Sequence, residues 1–311
     1  MSLCLVTGGA GFIGGHIVRR LLEMGHEVRV LDNFSTGRRE NLDEIASQIE
    51  LVEGDICDQA TAERCVKGVD GVFHLAARAS VPRSVEFPAE SNHANVTGTL
   101  TMLIAARDAG VRRFVYSASS AAYGETPELP KIETMAPQPL SPYAVSKLAA
   151  EQYCTCFSHV YGLETVSLRY FNVFGPRQDP NSAYAAVIPA FVSHMVRGEP
   201  PTIFGDGEQS RDFCFVENVV NANMLAFGAE KLAGETVNIA CAERTTLNQI
   251  IELINGHLGT GIKPVYTEPR PGDVRHSLAS IDAAKRVIGY QPATFFAEGL
   301  ERSIEWYKAN P

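Results

Sequence analysis

The chain has 311 residues and a mass of 33.8 kDa, which suits one large domain or two intimate ones. With 45% hydrophobic and 20% charged residues it can bury a sizeable core. Its 27 basic and 36 acidic side chains leave a net charge of −9, which argues against an unspecific grip on nucleic acid or an acidic membrane face. An anionic small substrate stays open, because a few placed arginines suffice. The seven cysteines, Cys4, Cys57, Cys65, Cys154, Cys156, Cys214 and Cys241, form no CxxC pair. Their odd number and apolar neighbours predict reduced core thiols and no metal site. No apolar run approaches a membrane span, and the first residues read as a strand, so a cytoplasmic enzyme is expected.

Residues 2–6 read as a buried strand, followed by a glycine-rich turn and a helix over 12–24 with Ile13, Ile17, Leu21 and Met24 on one side. Further strands are predicted at 27–31, 51–52, 71–76 and 113–117, with helices around 59–67 and 92–109 between them. Another helix and strand run from Tyr143 to Tyr161 and from Thr165 to Arg169. This alternation predicts an α/β fold, a doubly wound parallel sheet of Rossmann type with helices on both faces. After about residue 175 prolines punctuate a looser pattern, with helices near 187–197, 217–230, 245–258 and 297–308. That half reads as a smaller α/β lobe, and its strand Thr236–Ala240 can return to the first sheet.

Thr7–Gly14 (TGGAGFIG) carries Gly8, Gly11 and Gly14 between strand and helix. A side chain there would keep a pyrophosphate from the backbone N–H groups at the positive helix end. Asp32 ends the second strand, where a carboxylate accepts from ribose hydroxyls, favouring NAD. Arg38 and Arg39 follow closely and can attract a 2′-phosphate, which keeps NADP open. Asp55 closes the third strand and either flanks the adenine or is an ordinary loop aspartate.

Ser141–Lys147 (SPYAVSK) is the most informative stretch. Ser141 suits the N-cap and Pro142 the first helical position, which puts Tyr143 in the first turn and Lys147 on the same face. A phenolate at neutral pH needs help worth ~4 kcal/mol, which the lysine, the helix end and an oxidised nicotinamide can supply. Ser119, at the end of a predicted strand, is the candidate to bond a substrate hydroxyl.

Together with DNFSTG (Asp32–Gly37), GDI (Gly54–Ile56), HLAA (His74–Ala77), NVTGT (Asn95–Thr99), RYFNVFGPR (Arg169–Arg177), GDGEQSRDF (Gly205–Phe213) and RPGDVRHSLASI (Arg270–Ile281), these motifs resemble the extended short-chain dehydrogenase/reductase family. Within it, the chain is similar along its whole length to the UDP-hexose 4-epimerases, and in its second half most to bacterial UDP-N-acetylhexosamine 4-epimerases. The resemblance implies an NAD-binding domain over 1–174 interleaved with a nucleotide-sugar lobe over 175–311. It implies NAD contacts from Gly8, Gly11, Phe12, Ile13, Gly14, Asp32, Asn33, Asp55, Ile56, Leu75, Ala76, Asn95, Ser117, Tyr143, Lys147 and Phe171. Substrate contacts are implied from Ser80, Ser119, Tyr143, Asn172, Val187, Phe204, Arg211, Arg270 and Asp273.

Relatives that dehydrate the sugar carry an Asp-Glu pair where this chain has Ser120-Ala121, so epimerisation is the expected reaction, with Tyr143, Lys147 and Ser119 as its catalytic residues. Ser277 stands where glucose-restricted relatives place a tyrosine, which implies room for a 2-acetamido group. The alternative is a UDP-glucuronate 4-epimerase, with Arg83 or Arg177 meeting the C6 carboxylate, or another nucleotide-sugar dehydrogenase of the family. Apolar Leu100, Leu103, Ile104, Leu148 and Tyr153 lie on the helices that family members pair in a four-helix homodimer interface.

Overall fold

The computed structural model describes residues 1–180, 187–269 and 275–310. Seven strands form its main sheet: β1 (Leu3–Thr7), β2 (Glu27–Asp32), β3 (Ile49–Glu53), β4 (Gly71–His74), β5 (Arg113–Ser119), β6 (Glu164–Tyr170) and β7 (Glu235–Ile239). Their order across the sheet is β7-β6-β5-β4-β1-β2-β3, and every neighbouring pair is parallel. The strands are short apolar runs because both faces are covered. Cys4 and Val6 of β1 join one core with Ile17, Val18 and Leu21, whereas Leu5 joins a second core with Leu31, Val72 and Phe114.

The helices are α1 (Phe12–Glu23), α2 (Gln59–Cys65), α3 (Val81–Glu86), α4 (Pro88–Asn92), α5 (Gly98–Asp108), α6 (Pro142–Tyr161), α7 (Val187–Val196), α8 (Val216–Gly228), α9 (Leu247–Leu258), α10 (Asp282–Ile288) and α11 (Phe296–Ala309). The expected helix over 92–109 is present and runs on from α4, with a π turn over His93–Thr97 leading into α5. Gly98 permits the close packing there, since a Cβ on it would lie 2.5 Å from the Ile56 side chain. The short helix α10 was not anticipated, because seven residues give too little periodicity to read.

The second half is not a separate block. β7 pairs with β6 at the sheet edge, and α8 packs on α1 and β5. The remainder builds short ladders beyond the carboxyl ends of the strands, pairing Thr202–Phe204 with Val265–Thr267 and Ser210–Arg211 with Thr245–Thr246. All seven cysteines are free, and five are buried as expected; Cys57 is half-buried and Cys156 exposed. Among the described residues no helix is long and apolar enough to cross a membrane.

Of the apolar residues on α5 and α6, Leu103 is buried in its own subunit's core, Leu100, Ile104 and Leu148 are half-buried, and Tyr153 is exposed. α6 also exposes Val145, Val160 and Tyr161.

A buried ion pair locks α6 onto the sheet. Arg169 of β6 grips Glu151 with both ends of its fork, at 2.8 and 2.6 Å, and lies 4.7 Å from the Tyr123 ring centre. Both partners are almost wholly buried, at 3% and 2% side-chain exposure. Glu151→Ala would leave that guanidinium charged and dry, and we expect a loss of about 3–5 kcal/mol in urea unfolding. A loss below ~1 kcal/mol, typical of an exposed pair, would contradict this account of the pair.

Candidate active site

The site lies where the strands of a doubly wound sheet end, between the two halves of the chain. The turn after β1 is built on glycine from necessity. Gly8 has φ +70°, and a Cβ there would lie 2.7 Å from the Ala76 nitrogen; a Cβ on Gly14 would lie 2.1 Å from the Gly8 oxygen. The start of α1 therefore faces open space, a cradle suited to a dinucleotide's pyrophosphate. Asp32 closes β2 beside it, its carboxylate accepting the N–H groups of Ala10 (2.9 Å) and Phe34 (2.8 Å). Burial raises its pKa, against the effect of those two bonds. Carboxylate lone pairs left over suit ribose hydroxyls.

One cavity of ≈ 730 Å³ takes in Gly8, Gly11, Phe12, Ile13, Gly14, Asp32, Asn33, Asp55, Ile56, Leu75, Ala76, Ser117, Ser119, Tyr143, Lys147 and Asn172. A second, of ≈ 400 Å³, takes in Val187, Phe204 and Arg211, and shares Asn172 and Val173 with the first. These sizes fit a dinucleotide and a smaller ligand meeting end to end. Arg270 and Asp273 lie outside the described residues.

Other expected contacts stand elsewhere. Phe171 is buried against Tyr123, Ala240 and Ala279, whereas its neighbours Tyr170 and Asn172 line the cavity. Ser80 caps α3, its hydroxyl accepting the N–H of Arg83. Asn95 stands one layer back. Its side chain joins the Arg78 backbone (2.7 and 3.1 Å) to the Ser146 hydroxyl (2.9 Å) on the first turns of α6. Ser277 abuts Asn172, whose Nδ2 lies 3.3 Å from its hydroxyl.

Ser141 caps α6 through the Ala144 N–H, and Pro142 follows, as the sequence predicts. Tyr143 and Lys147 thus reach the cavity from one helix face. The Lys147 ammonium donates to the Ser117 carbonyl at 2.7 Å and lies 5.0 Å from the Tyr116 ring centre. Its burial pulls the pKa down to about 8. Tyr143 shares the cavity wall with Ser119, at the end of β5, and interacts with it. Burial raises the Tyr143 pKa, and its interaction with Ser119 opposes this.

Two buried side chains behind the cavity, His74 and Asp212, have no role assigned from the sequence. His74 sits between the Thr7 hydroxyl (2.8 Å) and the Thr99 hydroxyl (2.9 Å), and Thr99 donates to the Asn95 carbonyl. Burial, with Lys147 adding to it, pushes the His74 pKa down to about 3, so the ring is a neutral strut. Asp212 likewise holds together the backbone N–H groups of Cys241, Ala242 and Ala279. His74 and Asp212 fall inside quoted motifs, and only the folded chain reveals their partners. Among the described residues no cluster of potential metal ligands gathers.

A family model described as "NAD dependent epimerase/dehydratase family" matches residues 4–240. The chain is similar to the UDP-N-acetylglucosamine 4-epimerase of Methanobrevibacter ruminantium M1, solved with UDP-N-acetylmuramic acid, at 42% identity and TM-score 0.95 over 100% of this chain and 99% of that one. It is similar to the UDP-glucose 4-epimerase of Thermotoga maritima, solved with UDP-glucose, at 41% identity and TM-score 0.94 over 99% of each chain. A UDP-glucose 4-epimerase of Mycolicibacterium smegmatis is 39% identical over 98% of both chains. The chain belongs to the NAD dependent epimerase/dehydratase family and, within it, to the UDP-sugar 4-epimerases.

Proposed function

We propose that this enzyme interconverts UDP-N-acetylglucosamine and UDP-N-acetylgalactosamine at C4, and UDP-glucose and UDP-galactose as well. The observation that carries the reaction type is the Tyr143–Ser119 pair on the wall of the larger cavity, with Ser120-Ala121 beside it where a dehydratase would need acidic groups. Tyr143 takes the proton of the sugar 4-hydroxyl, directly or through Ser119, and returns it to the 4-keto sugar. Bound NAD, with its positive nicotinamide, supplies the two-electron oxidation at C4 and its reversal. Lys147 fixes the floor beneath the reacting groups through Ser117 and adds positive charge below its pKa of about 8. Arg211 is suited to the substrate diphosphate by its place on the second cavity. The 4-keto sugar turns about that tether before reduction.

The acetamido preference draws on Ser277, which stands against Asn172 with only a hydroxymethyl group. A tyrosine there would crowd Asn172, which lines both cavities. The UDP-glucuronate alternative relies on Arg83 or Arg177 to meet a carboxylate. Arg83 already pairs with Glu90 at 3.0 Å and Arg177 with Glu44 at 2.7 Å, which disfavours it. The exposed apolar residues of α6 support a homodimer through that helix and α5.

Tyr143→Phe should lower turnover of either sugar pair by about 10²–10⁴-fold while the protein keeps its cofactor. Turnover within a few-fold of the unaltered enzyme would remove Tyr143 from the mechanism. Ser277→Tyr should cut turnover of UDP-N-acetylglucosamine far more than that of UDP-glucose. An equal loss on both sugars would end the argument from space at this position.

A further inference from the structure

The adenosine end of the larger cavity has two walls from distant parts of the chain. One is the segment after β2, with Asp32, Ser35, Thr36 and Gly37; the other is Gln178 and Asp179. Arg38 and Arg39, which in sequence are free to receive a 2′-phosphate, are engaged. Arg38 Nη2 lies 2.6 Å from Asp179 Oδ2, across 141 positions of sequence. Arg39 pairs with Glu53, and its guanidinium lies 4.0 Å from the Phe34 ring centre. The stretch bearing Asp179 is tied down before it reaches Arg38. His16 bonds the Pro176 carbonyl at 2.9 Å, Arg177 pairs with Glu44 at 2.7 Å, and Gln178 donates to the Val173 carbonyl at 3.2 Å.

We infer that Asp179 is a specificity-determining residue for the dinucleotide, excluding a 2′-phosphate by adding a second carboxylate to the cavity that Asp32 lines and by holding Arg38 in an ion pair. A ribose hydroxyl donates to a carboxylate without cost, whereas a phosphate of nearly two negative charges would meet Asp32 and Asp179 together. To be answered by Arg38 it would have to displace Asp179. The discrimination usually sought in the first half of such a chain is thereby completed by a residue of the second. This rests on the assignment of the larger cavity to NAD.

The test titrates NADP+ against holoprotein and measures, by chromatography of the bound nucleotide, how much NAD it displaces. Retention of NAD by the unaltered protein checks the cavity assignment separately, and its loss would overturn that assignment and this inference with it. Asp179→Asn should raise the affinity for NADP+ relative to NAD by about tenfold, the scale of one charge-assisted bond made available. Asp179→Glu should keep the original preference, and adding Arg38→Ala to Asp179→Asn should abolish the gain. Asp179→Ser gives the same comparison if the amide variant does not fold. An unchanged NADP+ to NAD ratio in a folded variant lacking the carboxylate would overturn the inference, even if NAD leaves faster.

Discussion

The site depends on how closely two stretches of backbone can approach at the carboxyl ends of β1 and β4. Gly8 lies so near Ala76, and Gly14 so near the Gly8 carbonyl, that a methyl group at either position would force the strands or α1 apart. With that space kept empty, the first N–H groups of α1 face a ligand and Asp32 stands beside them. The same approach brings Thr7 to His74, and from His74 a line of buried hydrogen bonds reaches Thr99, Asn95 and Ser146. The glycine turn and the catalytic helix are thus parts of one polar framework. A neutral His74 suits it, because a buried imidazolium near Lys147 would repel the charge the site uses.

Charge around the cavity is arranged asymmetrically. At the reacting end, burial pulls the Lys147 pKa down to about 8 and pushes that of Tyr143 up. Burial therefore works against the charged form of both groups. At the adenosine end, carboxylates line the cavity and the nearby arginines are held by acidic partners.

Much of this was legible in the residues. The seven-strand sheet, the cap at Ser141-Pro142 and the single face shared by Tyr143 and Lys147 follow from local patterns of period, turn and cap. β7 was readable as a returning strand because TVNIA is a buried-strand run in otherwise loose sequence. What escaped were features made by distant segments. Phe171 sits in a motif that resembles a cofactor contact, yet its side chain packs in the core with Tyr123 while Tyr170 and Asn172 on either side line the cavity. Asn95 and Ser80 act by bonding backbone behind the wall. The pairing of Arg38 with Asp179 has no local signal at all, and the pKa of Tyr143 depends on burial that no spacing reports.

The central claim is that C4 is oxidised and reduced within one active site, with nothing released between. It is tested most directly by NMR of UDP-N-acetylglucosamine carrying deuterium at C4, incubated with the purified protein and no added nucleotide. The account predicts UDP-N-acetylgalactosamine with the deuterium still at C4 and no reduced cofactor in solution. Washout of the label into solvent, or release of reduced cofactor in step with sugar oxidation, would contradict it.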